Sequence, residues 1–240
     1  MTSTKLRVCA LIPAYNEEDR IGTTVAALKS RPEIDKIVVI DDGSTDATSK
    51  VASDAGAVVV TLAANAGKGA ALTAGYRHAL DEADIILLLD GDLGASAAEA
   101  VKLLTPILRD EADMVVGMLP PDPEFAATGQ SGGSGFVVRL ANKGIEKATG
   151  KTFKQPLCGQ RAVRKAVLDK ISEGKDANIF ARGFGVEVGL TIGALRAGFR
   201  VVEVDTHFRH KVTGSDFRGI LHRARQYMDV SAAVRESARG

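Results

Sequence analysis

The sequence is poor in cysteine and carries no excess charge of either sign. Cys9 and Cys158 are its two cysteines, and their spacing matches neither a CxxC pair nor a zinc finger. Two cysteines are too few for a disulfide framework, so we expect a reduced, cytoplasmic environment. The 31 basic and 30 acidic residues leave a formal net charge of +1. No overall field therefore draws the surface onto nucleic acid or an anionic membrane, and any phosphate binding must be local.

Long apolar runs are also missing. The densest run, at residues 85–89, falls far short of the roughly 20 residues that cross a bilayer. Residues 1–18 contain no apolar stretch long enough for a signal peptide. We therefore expect a cytoplasmic protein whose contact with the inner face of the membrane is at most peripheral. A composition of 45% hydrophobic and 25% charged residues instead fits one large α/β domain or two small ones.

Short β-branched runs alternate with helical patterns through the first half of the chain, which is typical of βαβ units on a parallel sheet. We predict strands at residues 7–12, 36–40, 58–62, 85–89 and 114–117. Ser96 and Glu99 form a capping-box pattern that predicts a helix running to Leu108. Beyond a segment rich in proline and glycine that follows Met118, we expect three helices, two strands and a final helix at residues 216–235. The prediction is a single α/β domain over residues 1–240, with a Rossmann-like, mostly parallel sheet flanked by helices.

Polar clusters follow four of the predicted strands. Ligands of parallel α/β sheets bind outside the carboxyl ends of the strands, so these clusters mark a candidate site. The clusters are PAYNEE at 13–18, DDGSTD at 41–46, NAGKG at 65–69 and DGD at 90–92. Together they would bring carboxylates, a lysine and glycine-exposed amides to one edge of the sheet.

Asp90 and Asp92 are separated by one glycine and follow the apolar run at 85–89. Two carboxylates at the mouth of a buried strand can bind Mg²⁺ or Mn²⁺ through oxygen ligands, and such a cation would bridge phosphates. The alternative is a solvated acidic turn, which is how most isolated DxD triplets behave. The buried strand favours the metal site.

Lys68 lies between two glycines after the third predicted strand. The segment is not a P-loop, because Leu62 and Gly69 stand where that pattern requires glycine and serine or threonine. The GxGxxG fingerprint of NAD and FAD proteins is also missing after the first strand. Lys68 is therefore either a ligand-contacting residue, which we favour, or a surface lysine at the start of a helix.

The segments IPAYNEEDRI, VVIDDGSTDAT, NAGKGAAL and LLLDGDLGAS, in this order and spacing, resemble the nucleotide-sugar half of family-2-type glycosyltransferases with the GT-A fold. The resemblance implies that residues 1–118 bind the donor and residues 119–240 the acceptor. It also implies that Asp90 and Asp92 hold Mg²⁺ or Mn²⁺ against the diphosphate. The donor-binding residues that it implies are Pro13, Ala14, Tyr15, Asn16, Glu17, Asp42, Gly67, Lys68, Asp90 and Gly91.

Two branches of that family compete for the second half. The segments QPLCGQRAVRKAVL and GFGVEVGL resemble glucosyl-3-phosphoglycerate synthases, which are longer and carry an added carboxy-terminal segment. The segment AGFRVVEVDTHFRHKVTG is equally similar to polyprenyl-phosphate mannosyl- and glucosyltransferases, which usually carry DPTSG where this chain has QPLCG. Either resemblance implies a phosphorylated acceptor: a small molecule such as 3-phosphoglycerate, or a lipid phosphate.

Two residues of the second half are candidates for the reaction centre. His210 stands where the synthases place a third metal ligand, although it is also compatible with a surface histidine beside Arg209 and Lys211. Glu187, near a predicted helix start, would orient or deprotonate the acceptor and act with Asp92 in catalysis. The alternative for Glu187 is a partner of the helix dipole.

Gly159, Arg161 and Arg164 lie in and after the QPLCG turn. We predict that they bind the acceptor, because guanidinium groups match phosphate oxygens in a bidentate way. Plain charges on a helix surface are the alternative. The basic residues from Arg209 to Arg225 would either contact a membrane that carries a lipid-phosphate acceptor or leave the last helix packed on the sheet.

The sequence thus predicts a metal-dependent glycosyltransferase that moves a hexose from a UDP- or GDP-linked donor to a phosphorylated acceptor. The loop at residues 129–135 would close over the donor and exclude water. The first alternative is a sugar-phosphate nucleotidyltransferase, although the arginine-containing, glycine-rich triphosphate loop of that class is missing from residues 13–18. The second is a nucleotide-sugar-binding protein without turnover. The sequence leaves open the stereochemistry and the oligomeric state, a homodimer included.

Overall fold

The structure, a computed structural model, describes residues 5–79, 83–120, 134–172, 180 and 185–209. The helices, apart from a 3₁₀ helix at Gly94–Ala100, are α1 Ile21–Lys29, α2 Thr48–Asp54, α3 Lys68–Ala79, α4 Val101–Leu108, α5 Ser134–Thr149, α6 Lys165–Ser172 and α7 Val186–Arg196. The strands are β1 Val8–Ala14, β2 Lys36–Asp41, β3 Val58–Thr61, β4 Ile85–Leu88, β5 Met114–Met118, β6 Arg161–Arg164 and β7 Val201–Asp205.

These strands form one seven-stranded sheet in the order β3-β2-β1-β4-β6-β5-β7. Strand β6 runs antiparallel to β4 and β5, and the other neighbouring strands pair in parallel. The predicted α/β class and mostly parallel sheet are confirmed. The five strands predicted in the first half are present, with ends shifted by no more than two residues. The predicted order of three helices before the next strand lacks β6, because a strand of four residues is too short to show its own period.

The core lies on both faces of this sheet, since successive side chains of a strand point to opposite sides. In β1, Cys9 and Leu11 contribute to one buried cluster and Ala10 and Ile12 to the other. The four residues of β4 are at most 2% exposed, and a fully buried aliphatic side chain contributes about 1.5–3 kcal/mol. The packing of β4 in the core therefore fixes the position of the turn that follows it.

The predicted capping box at Ser96 and Glu99 is wrong. Ser96 lies inside the 3₁₀ helix, and its backbone N–H and hydroxyl both donate to the carbonyl of Leu93, at 3.2 and 2.6 Å. The Glu99 carboxylate instead accepts the backbone N–H of His207 at 3.0 Å. Glu99 thus fastens the segment after β7, and α4 begins only at Val101.

Three predictions fall partly or wholly outside the described residues: the loop at 129–135, of which 129–133 are not described, His210, and the final helix at 216–235. Within the described ranges, no helix combines the length and apolar character that crossing a bilayer requires.

Candidate active site

The polar clusters that follow β1, β2, β3 and β4 meet at the carboxyl edge of the sheet. Ala14, the last residue of β1, is in register with Asp41, the last residue of β2, and Leu11 is in register with Leu88 at the end of β4. The backbone N–H of Asp42 also donates to the Ala14 carbonyl at 2.8 Å. Pro13 and Ala14 thus close β1 beside the DDGSTD loop.

Lys68 lies at the centre of the site and joins three elements. It is the first residue of α3, and its Nζ donates to Asp90 Oδ1 at 2.8 Å and to Glu187 Oε1 at 2.9 Å. Burial alone would lower the pKa of Lys68, but the neighbouring charges of Asp90 and Glu187 outweigh it and raise the pKa above its ordinary value. Lys68 therefore remains a cation, 26% exposed, between two carboxylates.

Glu187 is buried beside Lys68. Its side chain is 5% exposed at the start of α7, and Oε1 accepts the bond from Lys68. Within the part of the chain that is described, the buried Oε2 accepts no hydrogen bond. An unsatisfied buried acceptor costs about 1–3 kcal/mol. Such an atom beside Lys68 is suited to accept a hydrogen bond from a ligand hydroxyl.

Gly159 packs against the pair formed by Lys68 and Asp90. A Cβ atom at this position would lie 2.6 Å from Lys68 Nζ, 3.2 Å from Asp90 Oδ2 and 3.4 Å from Asp90 Oδ1. The backbone of Gly159 is not left-handed, so the lack of a side chain provides space rather than backbone freedom. The glycine of the predicted QPLCG turn therefore lies at the site.

Gly159→Ala is expected to weaken donor binding about tenfold and to leave the fold intact. The added methyl group would push the flexible end of Lys68 away from Asp90, and a tenfold loss corresponds to about 1.4 kcal/mol, the order of one charge-assisted hydrogen bond. Isothermal titration with nucleoside diphosphates and Mn²⁺ measures the loss, and a thermal melt monitors the fold. Gly144→Ala, in the middle of α5, is the glycine-to-alanine control. Wild-type affinity in Gly159→Ala would contradict this interpretation of Gly159.

Asp42 fastens the loop that carries Lys68. Its two carboxylate oxygens accept the backbone N–H groups of Ala66 and Gly67, each at 2.8 Å. Gly67 has a φ of +88°, which favours glycine. Asp42 is 4% exposed, and its hydrogen bonds to Ala66 and Gly67 orient the approach to α3. Contact of Asp42 and Gly67 with a donor stays a prediction.

The loop after β1 is tied to the loop after β2. Asn16 adopts a φ of +55°, and its backbone N–H donates to Ser44 Oγ at 2.9 Å. The Glu17 N–H donates to Thr48 Oγ1 at 2.8 Å. Tyr15, between these tied residues and the strand, is 45% exposed. Its ring is thus accessible at the edge of the sheet, where the sequence predicts that the donor base lies.

The turn after β4 is held by two residues of the α1 region. Thr24 Oγ1 donates to the Gly91 carbonyl at 2.8 Å, and the Arg20 guanidinium donates to the Asp92 carbonyl at 2.8 Å. A Cβ on Gly91 would lie 3.3 Å from that of Ala14, so the turn packs closely on β1. Sequence reasoning missed Arg20, because an arginine before a helix carries no signal for this contact.

The donor set of Asp90 and Asp92 fits a hard divalent cation, because both supply carboxylate oxygens at the end of a buried strand. Over the described ranges, no group of three or more His, Cys, Asp or Glu side chains forms a metal site. A cation on these two residues would have positions left for water and phosphate oxygens, as Mg²⁺ commonly does. His210, the predicted third ligand, lies outside the described residues.

The structure contradicts the predicted acceptor role of Arg161. The residue is fully buried in β6. Its guanidinium donates to the carbonyls of Cys158 and Pro156, at 2.9 and 2.8 Å, and to Thr191 Oγ1 at 2.8 Å. These bonds leave no face for an acceptor phosphate. Arg161 instead joins the QPLCG turn to α7, the helix of Glu187.

Arg164 is also wrong as an acceptor ligand. It lies at the far end of β6, in register with Ile85 at the start of β4, and therefore at the edge of the sheet opposite the site. Its guanidinium donates to the Ile107 carbonyl at 2.8 Å and lies 3.1 Å from Asp110 Oδ1. Because β6 was not predicted, Arg161 and Arg164 were both placed beside the QPLCG turn, although they lie at opposite ends of this strand.

Comparisons of the sequence relate the chain to known proteins. The sequence profile of Glycosyl transferase family 2 matches residues 9–171, more than half of the chain. Glycosyltransferase AglJ of Haloferax volcanii is 32% identical over 213 residues, which are 87% of this chain and 65% of that protein. The undecaprenyl-phosphate 4-deoxy-4-formamido-L-arabinose transferase of Salmonella paratyphi A is 29% identical over 194 residues, which are 73% of this chain and 57% of the relative. The chain thus spans less than two thirds of either relative.

Solved structures show the same fold. Glucosyl-3-phosphoglycerate synthase from Mycobacterium tuberculosis in complex with phosphoglyceric acid has a TM-score of 0.75 and 26% identity, over 97% of this chain and 80% of the other. The same synthase with Mn²⁺, UDP-glucose and phosphoglyceric acid has a TM-score of 0.73 and 25% identity, over 95% and 80%.

Proposed function

Because the chain belongs to glycosyl transferase family 2, we propose that it transfers a hexosyl group from a UDP- or GDP-linked donor to a phosphorylated acceptor. The observation that carries the proposal is the contact of Lys68 with both Asp90 and Glu187 at the carboxyl edge of the sheet. That contact joins the donor-side motifs to a carboxylate from the second half of the chain. A nucleotide-binding surface alone would not require the buried Glu187.

The charge of the cluster supports a divalent cation as a partner of the donor. Asp90 and Asp92 place two carboxylates where the donor diphosphate would bind. Their charges would repel the diphosphate, and one Mg²⁺ or Mn²⁺ on these two residues would compensate for that repulsion. When bound, the cation supplies Lewis-acid stabilisation of the departing nucleoside diphosphate.

In this proposal, different residues of the chain have separate roles in binding and transfer. Tyr15 and the loops after β1 and β2 seat the base and ribose. Lys68 places its cationic group beside the leaving diphosphate, which stabilises the charge that develops there. Glu187 accepts a hydrogen bond from an acceptor hydroxyl through Oε2 and so orients it. An acceptor phosphate oxygen is already anionic and needs no general base, so Glu187 would act as a base only on an acceptor hydroxyl.

The acceptor is proposed as a phosphorylated compound because the relatives named above point to two sources of phosphate. The synthase is solved with phosphoglyceric acid, and the Salmonella relative is named for undecaprenyl phosphate. In this proposal residues 1–118 bind the donor and residues 119–240 the acceptor. A lipid-phosphate acceptor would require the cytoplasmic protein to contact the membrane surface peripherally.

The test is a matrix of donors and acceptors. The purified chain is incubated with Mn²⁺ or Mg²⁺, UDP- and GDP-hexoses, and either 3-phosphoglycerate or polyprenyl phosphate in detergent micelles. We expect acceptor-dependent release of UDP or GDP and a glycosylated product by mass spectrometry with one acceptor class. Donor binding without release would indicate a non-catalytic binding protein. Pyrophosphate release from a nucleoside triphosphate and a sugar phosphate would indicate a nucleotidyltransferase. Either result would overturn the proposal.

A further inference from the structure

Gln160 makes a short contact with Asp90 that neither the motifs nor the proposed chemistry require. Its Nε2 donates to Asp90 Oδ2 at 2.6 Å, while Lys68 Nζ donates to Oδ1 at 2.8 Å. Gln160 is fully buried at the residue before β6. The Asp90 carboxylate is therefore held at both oxygens, by a cation on one and a neutral amide on the other.

The Gln160 amide lies between two partners, Asp90 on one side and Cys158 on the other. A carboxylate accepts hydrogen bonds, so the NH₂ group of Gln160 must face Asp90 and its Oε1 must face away. Oε1 lies 3.1 Å from Cys158 Sγ. Burial raises the pKa of the Cys158 thiol to about 11, so the sulfur keeps a proton to donate at neutral pH. A chain of hydrogen bonds thus runs from the thiol through the amide to Asp90.

We propose that Gln160 is a positioning residue that orients the Asp90 carboxylate toward the metal and the donor diphosphate, with the Cys158 thiol fixing its amide. This inference rests on the proposed function, because it takes Asp90 as a metal ligand. Hydrogen-bond partners behind metal ligands fix the geometry of those ligands, and their loss typically lowers metal affinity about 10–100-fold. A neutral donor suits this position, since a second cation beside Lys68 would compete with the metal.

Gln160→Met is expected to weaken the binding of Mn²⁺ about tenfold or more, measured in the presence of UDP or GDP. Methionine retains the length and approximate volume of glutamine but cannot donate to Asp90. Electron paramagnetic resonance of free Mn²⁺ gives the affinity without reference to turnover, and a thermal melt confirms folding. Cys158→Ala should weaken binding by less, and Cys158→Ser, which keeps a donor, should bind within about twofold of the wild type.

Gln155→Met is the matched control. Gln155 also makes two side-chain hydrogen bonds, but both are with the backbone of Leu119, at 2.9 and 2.8 Å. It should lose stability without a selective loss of Mn²⁺ affinity. A folded Gln160→Met that binds Mn²⁺ within about twofold of the wild type would overturn the inference and leave the proposed function intact.

The remaining outcomes are also decisive. Should Gln160→Met fail to fold, the two Cys158 variants decide, because equal Mn²⁺ affinity in Cys158→Ala and Cys158→Ser would contradict a role for the thiol in fixing the amide. A wild-type chain that binds no Mn²⁺ with either nucleoside diphosphate would count against the proposed metal-dependent function itself, and the role of Gln160 would be rejected with it.

Discussion

Asp92→Asn is expected to abolish metal-dependent donor binding and to slow transfer about a thousandfold. The substitution removes one of the two carboxylates that we assign to the metal, and a thousandfold loss of rate corresponds to about 4 kcal/mol of transition-state stabilisation. Mn²⁺-dependent binding of UDP or GDP measures the first effect, and acceptor-dependent release of nucleoside diphosphate measures the second.

The fold should survive this substitution because the turn is held through its backbone. The carbonyls of Gly91 and Asp92 accept hydrogen bonds from Thr24 and Arg20, and neither bond involves the Asp92 carboxylate. Asparagine has nearly the same shape, so the change removes charge and leaves packing alone. A loss of binding with an unchanged melting temperature would therefore report on the cation rather than on unfolding.

Asp54→Asn is the control for removing one carboxylate from the chain. Asp54 ends α2, is 64% exposed in its side chain and pairs with Lys50 at 2.5 Å, a type of surface pair worth about 0.3–0.5 kcal/mol. It should retain wild-type transfer. Full activity in Asp92→Asn under saturating Mn²⁺ would remove Asp92 from the metal site and withdraw the main support for metal dependence.

Much of the carboxyl edge of the sheet could be predicted from the sequence because local signals carry it. Strand β4 reads as a continuous apolar run, and Asp90 and Asp92 follow it directly. Parallel strands end at a common edge, so the polar residues that follow them converge whatever the details of the helices between them. The positions of the motifs along the sequence therefore predict that their polar residues meet at one site.

The second half was less predictable because its contacts are made across long separations in sequence. Lys68 and Glu187 are 119 residues apart, and no local period indicates that they meet. Gln160 is an unremarkable polar residue in the sequence, although it is fully buried against Asp90. Such a residue gains its role only from the antiparallel strand β6, which sequence periodicity did not reveal.

Arg161 is a residue whose type suggested a binding role although its contacts are structural. An arginine near a predicted phosphate site suggests a phosphate ligand, because its guanidinium group matches phosphate oxygens. A fully buried arginine is rare unless its hydrogen-bond donors are paired within the protein. Here they are paired, with the turn carbonyls and Thr191. The Thr191 hydroxyl also donates to the Glu187 carbonyl at 2.9 Å. The charge that suggested acceptor binding serves instead to hold the helix of Glu187 against the QPLCG turn.

Glu187→Gln is expected to slow transfer about a hundredfold while donor affinity stays within about threefold of the wild type. Glutamine has nearly the same shape, and its amide oxygen can still accept the Lys68 hydrogen bond. The NH₂ group then takes the place of Oε2, the buried oxygen that accepts no hydrogen bond within the described residues. An acceptor hydroxyl that donates to Oε2 would meet a second donor, and a hundredfold loss corresponds to about 3 kcal/mol.

Single-turnover rates at saturating donor, with donor affinity measured separately by titration, distinguish the possible roles of Glu187. Glu146→Gln, on the exposed face of α5, controls for removing a glutamate charge and should transfer at the wild-type rate. A parallel loss of rate and donor affinity in Glu187→Gln would reassign Glu187 to the donor sugar. An unchanged rate would remove it from the chemistry, and the contact with Lys68 would then only hold α7 against the donor side of the sheet.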